Sequence, residues 1–66
     1  MRVRLNGQER EVENGATVAA LVESLGLAGQ PIAVEMNRRI VPKSRFRETT
    51  VNEGDTLEVV TFVGGG

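Results

Sequence analysis

Apolar and polar residues alternate at both ends of the chain, and between them lies one stretch where apolar residues recur at helical spacing. Met1, Val3 and Leu5 alternate with Arg2 and Arg4, the period-two pattern of a half-buried strand. Asn6-Gly7 follows, the dipeptide favoured where both central residues of a tight hairpin turn need positive φ. That turn sets Leu5 against Gln8, Arg4 against Glu9 and Arg2 against Glu11, so opposite charges meet on one face of the hairpin. Val18, Leu21, Val22 and Leu25 then fall at i, i+3, i+4 and i+7 and predict a helix of about two turns. Thr17 is placed to cap it, and Gly26 can turn left-handed after it, with Leu27 folding back. A helix this short must dock on a sheet to persist. Ile32–Met36 reads as a strand, Asn37-Arg38 as a turn and Arg39–Val41 as a short return strand that Pro42 ends. Residues 43–55 read as irregular, with Phe46 as a plug into the core and Glu53-Gly54-Asp55 as a turn. The last strand runs from Thr56 through Val63.

The order ββαββ predicts an α+β domain with a mixed four- to five-stranded sheet and one helix across one face. If the two terminal strands lie side by side, the crossover through the helix makes them parallel. This is the β-grasp arrangement, expected over residues 1–62, with residues 63–66 as a glycine tail. One helix leaves one face of the sheet uncovered. Glu58 will not face the core unpaired, so Leu57, Val59 and Thr61 are expected to face the helix, and Val60 and Phe62 the open side. Val60, Phe62 and Val63 are accordingly candidates for docking a partner.

Composition narrows the chemistry. The chain of 66 residues has room for one domain and contains no cysteine, histidine, tyrosine or tryptophan. A thiolate zinc site, a thiol nucleophile and an imidazole base are therefore excluded, no metal site is expected, and catalysis by this chain alone is not. Its formal net charge is −1. Five of the eight basic side chains fall in "RRIVPKSRFR", namely Arg38, Arg39, Lys43, Arg45 and Arg47. Without tyrosine or tryptophan to stack bases, this run reads as a solvated face that could steer an acidic partner rather than as a nucleic-acid site. No apolar run approaches the ~20 residues that span a bilayer, and "MRVRLNG" has no signal-peptide core, so a cytoplasmic protein is expected.

"EVVTFVGGG" closes the sequence. Glycine lacks a Cβ, so Gly64 and Gly65 could thread a slot closed to other residues. Extended, Val63 to Gly66 reaches about 13 Å, enough to carry a carboxyl group into another protein's active site. With "NRRIVP" mid-chain and "EGD" before the last strand, the chain resembles the ThiS family of ubiquitin-like sulfur carriers in thiamine biosynthesis. The resemblance extends over essentially the whole length. It implies that a partner, an E1-like adenylating enzyme, consumes ATP to adenylate Gly66. A desulfurase system then supplies sulfur originating in cysteine, and the resulting thiocarboxylate donates it to thiazole synthase. The carrier itself would bind no cofactor. Two alternatives stay open: a carrier of the molybdopterin-synthase small-subunit type, and a non-covalent β-grasp interaction or RNA-binding module.

Overall fold

The computed structural model describes residues 1–62. Its elements follow in the order β1 (Arg2–Leu5), β2 (Gln8–Glu11), α1 (Val18–Ser24), β3 (Ile32–Met36), β4 (Arg39–Val41), a 3₁₀ turn (Lys43–Arg45) and β5 (Thr56–Thr61). They build one five-stranded sheet in the order β2-β1-β5-β3-β4. β5 runs parallel to β1 and antiparallel to β3, and the two hairpins flank it. This is the expected β-grasp sheet, at the upper of the two strand counts anticipated.

Local sequence explains each hairpin. Asn6 and Gly7 take φ of 50° and 82°, and the register pairs Leu5 with Gln8, Arg4 with Glu9 and Arg2 with Glu11, as the turn requires. Arg2–Glu11 follows that register, and the pairing of Glu9 departs from it. Arg2 reaches both acids, Glu9 at 2.8 Å and Glu11 at 3.2 Å, while Arg4 donates to the Gly7 carbonyl instead. Diagonal neighbours on a sheet lie within reach of a long side chain, so Glu9 can pair with Arg2 rather than with Arg4 opposite. The Glu9 hydrogen bond, followed by that of Glu11, holds the Arg2 guanidinium above its ordinary pKa. In the β3–β4 turn Asn37 and Arg38 also take positive φ, 54° and 70°.

The helix has only seven residues, and both its ends are tied. The Val18 and Ala19 amides donate to the Thr49 and Phe46 carbonyls, and the Ala20 amide donates to Thr17 Oγ1. The orphan donors of the first turn are thereby satisfied by the loop that precedes β5 and by the Thr17 cap. At the other end Gly26 (φ 75°) donates to the Glu23 carbonyl and Leu27 to that of Val22, a Schellman closure. Leu25, expected in the apolar stripe, is the half-buried C-cap, while Val18, Leu21 and Val22 are buried.

The core lies between α1 and one face of the sheet. Val34 and Leu57 at its centre are fully buried, and Val3, Leu5, Ile32, Val41 and Val59 surround them. Phe46 plugs the core as expected, and Val51, at 1% exposure, closes it from the loop before β5. That loop is less irregular than the sequence suggests. It includes the 3₁₀ turn and a bridge from Thr50 to Thr17, with the Val51 amide bonded to the Ala16 carbonyl. Among the described residues no helix is long and apolar enough to cross a membrane.

Candidate functional site at the end of the last strand

Alternation along β5 decides which side chains the open face carries. Leu57 and Val59 are buried against the helix, whereas Val60 and Phe62 are 54% and 57% exposed. The expected outward orientation of Val60 and Phe62 is therefore met. Val60 lies opposite Ala33 on β3. Ile40, at 64% exposure, adds a third large apolar side chain to the exposed set. The sequence pattern does not mark it as a docking residue, although Val41 pointing inward on a three-residue strand forces its neighbour outward. Val63, Gly64, Gly65 and Gly66, the remaining docking and tail residues named from sequence, lie outside the described residues.

Between these apolar groups the open face is acidic. Glu35 and Glu58 stand directly opposite each other on β3 and β5, and neither makes a salt bridge to a described residue. Like charges placed this way oppose the pairing of their strands. The cations of "RRIVPKSRFR" are all exposed, and among the described residues only Arg45 is paired, to Glu48 at 3.4 Å. Lys43 and Arg47 rim an open groove of about 420 Å³ floored by Ala19, Val22, Ile32 and Phe46, on the helix side of the molecule.

Side chains of two turns fasten β5. Asn6 accepts from the Val59 amide through Oδ1 (2.8 Å) and donates to the Val59 carbonyl through Nδ2 (3.2 Å), standing in for the strand residue that the turn removes. At the other end of the strand Asn37 accepts from the Thr56 amide and donates to Asp55, whose second oxygen accepts from the Asn52 amide. The sequence marks both asparagines as turn formers only. The ladder on the β3 side continues past the strand, with the Phe62 amide donating to the Pro31 carbonyl at 2.9 Å. The described chain thus ends on a strand held on both sides as far as Val59 and on one side at Phe62. Among the described residues no group of histidine, cysteine or acidic side chains is arranged to hold a metal.

A model of the ThiS family matches residues 3–66. The chain is 34% identical to the sulfur carrier protein ThiS of Bacillus subtilis over 65 residues, which cover 97% of this chain and 98% of that protein. It is 47% identical over 66 residues to a thiazole synthase of Paramagnetospirillum magneticum, matching all of this chain and 20% of the relative. The chain therefore spans about a fifth of the length of that relative, and the same holds for a thiazole synthase of Magnetococcus marinus, at 38% identity. The fold superposes on the crystal structure of a thiamine biosynthesis protein (ThiS) from Geobacter metallireducens with a TM-score of 0.85, at 32% identity and with full coverage of both chains.

Proposed function

Because the chain belongs to the ThiS family, we propose that it is a sulfur carrier in thiamine biosynthesis whose working group is the main-chain carboxyl of Gly66. The observation that carries this reading is the family match, which runs through residue 66 and includes Gly65-Gly66. The exposed Val60 and Phe62 at the root of that segment support it, since an enzyme working on Gly66 must approach this end of the sheet.

The chemistry asks little of the carrier. A carboxylate is a poor electrophile. An E1-like adenylating enzyme transfers AMP from ATP to it and releases pyrophosphate, giving an acyl-adenylate with a good leaving group. The terminal sulfur of a persulfide on the desulfurase system displaces AMP and forms an acyl disulfide. A partner thiol then cleaves its S–S bond by exchange, leaving the thiocarboxylate and a disulfide between the two partner sulfurs. Thiazole synthase then takes the sulfur, a role in keeping with the relatives in which a match to this entire chain forms a fifth of a thiazole synthase. Each of these steps uses the partner's catalytic groups, and the carrier acts as co-substrate. Gly64 and Gly65 pass through the partner's channel without side chains to obstruct it.

Removing Gly66 tests the proposal. ATP–pyrophosphate exchange by the adenylating enzyme should fall to background, while thermal melting should stay unchanged because the core ends at Val59. A shortened chain that still drives exchange at the full rate would place the chemistry elsewhere.

A further inference from the structure

The sheet holds β5 unequally on its two sides. Amides along a strand point alternately to either neighbour. Phe62 donates to Pro31, and Asn37 donates to Thr56, so even-numbered residues of β5 face β3. Odd-numbered residues face β1. The Asn6 amide donates to the Leu57 carbonyl, and the two main-chain groups of Val59 are bonded by the Asn6 side chain. Thr61 is next in this series. The β1–β5 ladder has ended at Leu5–Leu57, and the hairpin has turned away, so no described residue pairs with Thr61 on this side. Its N–H and C=O point outward in the plane of the sheet with no bond to another described residue, and Thr61 is exposed.

We infer that Thr61 is the anchoring point for an extended segment of the adenylating enzyme, which adds a strand to the β1 side of β5. This inference rests on the carrier reading. Four residues separate Phe62 from the carboxyl of Gly66, a reach of about 13 Å. The enzyme's catalytic surface must therefore cover the end of β5, and the partner's backbone is the group suited to a free N–H and C=O held in strand geometry. Strand addition supplies main-chain bonds for affinity, while alternate side chains are read on the faces. Val60 and Phe62 flank Thr61 and give the exposed apolar pair for that readout. Among the described residues the edge is sealed by Asn6 up to Val59 and opens at Thr61, which places the added strand at the root of the tail and limits pairing between free copies.

Amide exchange on the full ¹⁵N-labelled chain tests this directly. The Thr61 amide should exchange freely in the isolated protein and become protected on addition of the adenylating enzyme with ATP. T61P removes the donor, and because the residue lies in a non-hydrogen-bonded pair with Ile32 the β3 ladder stays intact. It should raise the KM for the carrier in pyrophosphate exchange about tenfold. T61V, which loses the hydroxyl but keeps the amide, separates the side chain from the main-chain donor, and its KM should lie well below that of T61P. An unprotected Thr61 amide in the complex, or equal KM values for T61P and the native chain, would overturn the inference while leaving the carrier reading in place. Concentration-dependent protection in the free protein would also overturn it, making a second copy the occupant. A native chain that supports no exchange with the enzyme would instead remove the carrier reading itself.

Discussion

Replacing Asn6 with glycine probes how the fold secures the strand that leads to the tail. Glycine takes positive φ without strain, so the β1–β2 turn at φ 50° survives and only the side-chain amide is lost. Val59 is 8% exposed, and its N–H and C=O then lose the bonds at 2.8 and 3.2 Å that Asn6 provides. At a net ~0.5–1.5 kcal/mol per hydrogen bond the loss is about 1–3 kcal/mol. Relief of the left-handed conformation at position 6 offsets part of it, leaving about 1–2 kcal/mol. A domain of this size holds only ~3–10 kcal/mol in all. At 4–8 °C per kcal/mol the melting temperature should fall by about 4–16 °C. Calorimetry gives the shift, and amide exchange locates it, since Val59 should lose protection while Val34 in the β3 ladder keeps it. A melting temperature within 2 °C or so of the native chain, with Val59 still protected, would refute the role assigned to the Asn6 side chain.

Two further substitutions separate stability from docking. Phe62→Ala should change melting little because the ring is more than half exposed, yet weaken binding to the adenylating enzyme at least fivefold if Phe62 is an interface anchor. Calorimetric titration and a thermal melt decide this, and a large melting shift with unchanged affinity would make Phe62 a structural residue. Glu58→Lys turns the opposed Glu35–Glu58 pair into an attractive one and should raise stability by up to ~1 kcal/mol at low salt, a gain that added salt diminishes. Equal stability at both ionic strengths would mean that the two carboxylates do not interact.

Much of this architecture could be read from the chain because its local signals agree with the tertiary packing. Asn6-Gly7 dictated the hairpin register to the residue, and the Thr17 and Gly26 caps bounded the helix. Glu58 is too polar to bury unpaired, and alternation from it turns Val60 and Phe62 outward, as they stand. What escaped notice depends on contacts between residues distant in sequence. Val51 sits alone among polar neighbours, with no periodicity to mark it, and is buried because the Thr50–Thr17 bridge folds the loop under the helix. Asn6 meets Val59 across 53 positions, so its second function beyond the turn has no sequence signature. The choice of Arg2 over Arg4 by Glu9 is likewise a matter of side-chain reach rather than register.

The central claim is that the carboxyl group of Gly66 is activated and then carries sulfur. The most direct measurement is accurate mass with C-terminal fragmentation of the full chain after incubation with the adenylating enzyme, ATP and a sulfur donor. The account predicts exchange of one oxygen for sulfur, carried by fragments that contain Gly66 and by no others. A chain of unchanged mass, or an added oxygen located at Met1 or Met36, would contradict it.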